Sequence, residues 1–80
     1  MKIDDEVWIV PFLELKLGVD MSSRQGQQSA LEWLKTAGPD DMYYSDPPED
    51  RDKATLDMEL TVGMMRKRSM MEYVEGLLRN

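Results

Sequence analysis

ATLDMELTVGMMRKRSMMEYVEGLL, residues 54–78, carries two hydrophobic periods that meet at Gly63. Up to Val62 the apolar residues alternate: Ala54, Leu56, Met58, Leu60 and Val62 fall to one side, and Thr55, Asp57, Glu59 and Thr61 to the other. A two-residue repeat is the pattern of a half-buried strand. After Gly63, the residues Met64, Met71, Val74 and Leu78, with Met70 and Leu77 beside them, share one stripe of a helix, and Arg66, Arg68, Glu72 and Glu75 take the remaining surface. The first reading is strand, glycine turn, helix. A second reading runs one long helix through the glycine, because Leu56, Leu60, Gly63 or Met64, Lys67, Met71, Val74 and Leu78 also step by three and four. It carries two penalties. A mid-helix glycine costs about 1 kcal/mol against alanine, and Lys67 lies on the apolar line unless its amine reaches outward.

Working outward, Leu13, Leu15, Leu17 and Val19 alternate with Glu14 and Lys16, which predicts a strand over about 12–19. Pro11 has no N–H to give to a ladder, so it separates or kinks a possible extra strand at Val7 to Val10. The polar stretch Asp20 to Gln28 ends that strand. Ser22 or Ser23 is placed to cap a following helix, read over Gln27 to Ala37 with Ala30, Leu31, Leu34 and Ala37 inward and Trp33 off the stripe. Gly38 followed by Pro39 stops it. From Pro39 to Lys53 six carboxylates face only Arg51 and Lys53, a local charge of −4, and three prolines stiffen the run. The expectation is one α+β domain over residues 1–80 in the order strand, helix, acidic loop (about 39–53), strand, helix, with a sheet of two or three strands; the alternative is all-α. So small a sheet is marginal alone, which favours a homodimer formed by extending it or by packing the methionine-bearing helices together.

Eighty residues with no cysteine and no histidine restrict the chemistry. Disulfides and thiolate zinc sites are excluded, and the commonest general base and nucleophilic pairs are missing. The reading is that the chain is not an enzyme and needs no cofactor. The net charge of −6 opposes binding to phosphate backbones, so no direct nucleic-acid partner is expected. No run approaches the roughly 18–20 apolar residues of a membrane span, the amino terminus is acidic, and a cytoplasmic location follows as the expectation.

Two surfaces compete as the binding site. The loop offers Asp40, Asp41, Asp46, Glu49, Asp50 and Asp52 around Tyr43 and Tyr44, an acidic docking surface with aromatic anchors, or simply a solvated loop. Its acids do not follow calcium-loop spacing, so no metal is assigned. The pairs Met64, Met65 and Met70, Met71 offer a flexible apolar face for self-association, or plain core, since neighbours on a helix point about 100 degrees apart. Arg66, Lys67 and Arg68 are read as pairing with the acidic loop.

In size, acidity and lack of a catalytic set, the chain resembles the small acidic proteins by which phages block host defence, the anti-CRISPR class among them. The resemblance implies an inhibitor that docks on a basic, nucleic-acid-handling host protein where phosphates would otherwise bind. Families of that class differ in fold, so no residue role is carried over. The alternative is a structural or assembly adaptor working through the methionine helix.

Overall fold

The structure, a computed structural model, describes residues 3–80, with only the backbone of residues 3–5. It contains helix α1 (Ile3–Leu17), helix α2 (Arg24–Thr36), a 3-10 turn at Pro39–Met42 and helix α3 (Lys53–Arg79). No strand occurs among the described residues, so the α+β expectation is overturned in favour of the all-α alternative. The strands read at 12–19, 54–62 and Val7 to Val10 fall in helices, save Gly18 and Val19 just past the end of α1, and no sheet exists there for a partner to extend.

The alternation over residues 54–62 is a coincidence of composition. Leucine, methionine, glutamate and alanine are strong helix formers, and β-branched residues supply only three of the nine positions. In the helix only Leu56 and Leu60 of the alternating set turn inward, while Met58 is 61% and Val62 39% exposed. Both penalties of the long helix are offset by specific contacts. Gly63 is buried where the Pro39–Met42 turn lies against α3, and a Cβ there would collide with the Pro39 carbonyl. Lys67 donates from Nζ to the Ala37 carbonyl at 2.7 Å, just past the end of α2, where a cation also meets the negative pole of that helix.

Helix α1 repeats the lesson. Ile9, Phe12 and Leu13 are fully buried at helical spacing, while Leu15 is 72% exposed. Pro11 sits within the helix on its exposed side and deprives the Val7 carbonyl of its usual donor, on a flank open to water. The helix closes at Gly18, whose φ of +66° lets its N–H return to the Glu14 carbonyl at 2.8 Å.

Helix α2 begins three residues earlier than its glycine suggested. Ser23 caps it by accepting from the Gly26 N–H at 3.0 Å, and Gly26 is there because any side chain would strike the Asp20 carbonyl. The helix runs antiparallel to α3: Arg24 donates to the Leu78 carbonyl at 3.0 Å at one end, and Lys67 reaches Ala37 at the other. Each cation neutralises the carbonyl end of the opposite helix. The inward set read from sequence is the one observed, with Ala30, Leu34 and Ala37 buried and Leu31 half-buried. Between α1, α2 and the second half of α3 lies the core of Ile9, Phe12, Leu13, Leu34, Met42, Met70 and Val74. At 27 residues and about 1.5 Å per residue, α3 spans the 42 Å long axis of the molecule.

Two exposed carboxylates tie this fold to pH. Asp20 accepts from the Ser22 hydroxyl and N–H, and Asp52 caps α3 by accepting from the Thr55 N–H at 2.7 Å; both carboxyls are held below their usual range. A carboxyl depressed in the folded state stabilises the fold above its unfolded pKa, about 4, and that contribution disappears as pH falls through the lower folded value. Asp20→Asn with Asp52→Asn is therefore expected to lose less melting temperature than the wild type on acidification below about pH 4. Parallel melting curves of the two proteins would refute it.

Candidate functional site

The loop between α2 and α3 is built around one cation. Arg51 has a side chain only 11% exposed and donates to both carboxylate oxygens of Asp40 at 3.3 and 3.1 Å, and to Glu59 on α3 at 2.7 Å. The two acids hold the guanidinium even more firmly protonated than usual. This fork binds the turn, the end of the loop and α3 into one unit. Asp41 accepts from the Gly38 N–H at 2.8 Å and so closes the turn that seats Met42 in the core. Asp52 is occupied as the α3 cap.

Tyr43 is likewise structural. Its hydroxyl donates to the Glu59 carbonyl at 2.8 Å, its own carbonyl accepts from Lys16 Nζ at 2.8 Å, and its ring lies 5.5 Å from the Arg66 guanidinium. Arg66 completes the arrangement over Trp8 at 5.1 Å and Phe12 at 5.8 Å, so three rings face one cation. Its buried Nε has no hydrogen-bond partner among the described residues, which leaves the ring faces as its main compensation. The basic trio expected to pair with the acidic loop is thus split three ways. Arg66 stacks on aromatic rings, Lys67 binds a helix end, and Arg68 is exposed on the outer side of α3.

Of the eight loop residues proposed for partner binding, Asp40, Asp41, Tyr43 and Asp52 are spent on the fold. Asp46, Glu49 and Asp50 are exposed and make no ion pair among the described residues. Tyr44 is 57% exposed and packs edge-on against Phe12, with centroids 5.1 Å apart. The free acids and Tyr44 therefore form one strip, residues 44–50, stiffened by Pro47 and Pro48 and anchored at both ends by Tyr43 and Arg51.

The methionine set divides too. Met70 is fully buried and unavailable for self-association, Met71 is half-buried, and Met64 and Met65 are 54% and 63% exposed. Met58 and Val62, which the strand reading had placed elsewhere, join them on the outer side of α3. Beside them runs a shallow open groove lined by Thr61, Met64, Met65, Lys67, Arg68 and Met71. Sequence reasoning counted Arg51 only toward the loop's charge and missed its organising role, although it is the only arginine in the loop and stands among six acids.

No cluster of three metal-ligating side chains is assembled among the described residues, and no helix formed by them is long and apolar enough to cross a membrane. No protein-family model, no curated protein and no solved structure matches the chain.

Proposed function

We propose that this protein is a small acidic inhibitor that docks on a basic, nucleic-acid-handling protein through the strip Tyr44, Asp46, Glu49 and Asp50, in the manner of an anti-CRISPR-type decoy. The observation carrying this reading is the division of labour within the loop. Its inner acids are consumed by Arg51 and by helix and turn caps, and its outer three are left without an ion pair among the described residues, on a proline-stiffened segment. A segment already ordered loses little freedom on binding, and a fixed anionic edge on a chain of net charge −6 steers a basic partner into contact. Tyr44 adds a half-presented ring next to the charges.

The test is a pair of proteins immobilised for capture from the native host's lysate: wild type, and Asp46→Asn with Glu49→Gln and Asp50→Asn. The three substituted positions are exposed and make no ion pair among the described residues, so melting should be unchanged. The wild type is expected to retain a basic protein that raised salt releases, and the variant to bind it with an association rate lower by roughly tenfold at low ionic strength. Equal retention by both proteins, or a partner indifferent to salt, would remove the acidic strip from the mechanism. Substitution of Asp40 would not serve, since it breaks the Arg51 fork and confounds binding with folding.

A further inference from the structure

We infer that the outer face of α3 is the interface with a second copy of this chain, the two helices packing antiparallel about a two-fold axis that crosses this face between Thr61 and Met65, at the level of residues 62 and 63. The face is apolar where it should be covered. Met58, Val62, Met64 and Met65 are 61%, 39%, 54% and 63% exposed, and none of residues 53–62 is buried within the chain itself. Met58, Thr61, Met65, Arg68 and Glu72 follow one another at steps of three and four, the spacing that keeps a seam turned toward a partner helix. Val62 lies on one flank of that seam, and Met64 with the open groove on the other.

The charges along the face say what the partner is. Over the stretch from Lys53 to Glu72 they read, in order, Lys53, Asp57, Arg68, Glu72. In an antiparallel pair centred between residues 62 and 63, Asp57 lies across from Arg68 of the second copy and Lys53 across from its Glu72. Symmetry then repeats both pairs. Both of these facing pairs are unlike, and the existing Lys53–Asp57 pair at 3.2 Å gains a cation beside its carboxylate. A parallel pair would instead set Arg68 against Arg68 and Glu72 against Glu72. An anionic lipid surface is a poorer match, because Asp57 and Glu72 lie on the same face as Arg68. The stretch from Lys53 to Glu72 is about 30 Å long and a helix about 10 Å wide, which gives a few hundred Å² per copy, below the roughly 800 Å² per partner of standard complexes. The dimer is accordingly one that dissociates on dilution.

Sedimentation of the whole chain from low micromolar to near-millimolar concentration tests it without any other partner. The wild type should pass from 9.3 kDa to twice that mass, and Met65→Asp should keep its helix content and stay at the lower mass. Arg68→Glu alone and Asp57→Arg alone should each weaken the dimer about tenfold or more, and the two together should restore it to within about threefold, since the facing pair is only exchanged. A wild type that stays at 9.3 kDa throughout, or a Met65→Asp dimer of unchanged strength, overturns the interface. A charge swap that fails to rescue overturns the antiparallel register. Monomer binding to phosphatidylserine vesicles that Met65→Asp abolishes would give the face to a lipid surface and also defeat the proposal.

Discussion

Replacing Met42 with aspartate is expected to leave the chain unfolded at room temperature. Met42 is fully buried, held by the Pro39–Met42 turn among core residues from the helices. A charge taken there without a partner costs several kcal/mol, and at about 0.05–0.15 kcal/mol per residue a chain of this length has little more than that to lose. Met42→Ala removes packing without adding charge and should cost about 2–5 kcal/mol, whereas Met42→Leu, of similar volume, should cost less than about 1.5 kcal/mol. Circular dichroism during thermal melting distinguishes the three. If Met42→Asp melts with the wild type, the turn is not part of the core and the loop is the solvated segment its composition suggests.

That contrast marks where the sequence was legible and where it was not. Helix α2 could be read because its apolar residues follow one period and its ends carry specific signals: Ser23 at the start, and Gly38 with Pro39 just beyond the stop. Helices α1 and α3 were misread for a physical reason. Each exposes residues that are apolar but not core, Leu15 on one and Met58 and Val62 on the other, and these completed a false two-residue alternation. An exposed apolar residue enters the sequence pattern just as a core residue does, and periodicity alone does not separate the two. The features that seemed to forbid the long helix were the ones that build the tertiary structure, because Gly63 and Lys67 are unfavourable in an isolated helix and become contacts only when the turn and the end of α2 lie beside them.

The candidate site was legible at the level of composition only. Acidity and the tyrosine pair drew attention to residues 39–53, but which acids remain available depends on Arg51 reaching back to Asp40 and across to Glu59. Such contacts span eight and eleven positions and leave no local signature. Tyr43 and Tyr44 are neighbours of the same type, yet one bridges α1 to α3 and the other faces outward. In the methionine pairs, the 100-degree rule fits Met70 and Met71, one buried and the other half-buried, but Met64 and Met65 are both exposed, so Met64 leaves the inward stripe it was read onto.

Gly63→Val should be as damaging as the charge at Met42, and Gly63→Ala nearly so in kind, although alanine is the better helix former by about 1 kcal/mol. Helix α3 passes so close to the Pro39–Met42 turn that a Cβ at position 63 would overlap the Pro39 carbonyl and press on its Cα. That neighbour is backbone. It is fixed on one side by the Asp41 cap and on the other by Met42 in the core, so it has no rotamer into which to retreat. Overpacking of this kind costs about 1–3 kcal/mol and occasionally more, so alanine, after its gain of about 1 kcal/mol in helix propensity, should lower stability by about 1 kcal/mol net and valine by enough to separate the turn from α3. Gly76 is the internal control: it lies in the same helix with no neighbouring atom within 4 Å of the added Cβ. Gly76→Ala should therefore raise stability by about 0.5–1 kcal/mol. Opposite signs for the same substitution at two positions of one helix can come only from the contact each glycine makes. If Gly63→Ala instead stabilised the protein, α3 and the turn would not be in contact, and the seating of Met42, the Arg51 fork and the presentation of the acidic strip would all have to be redrawn.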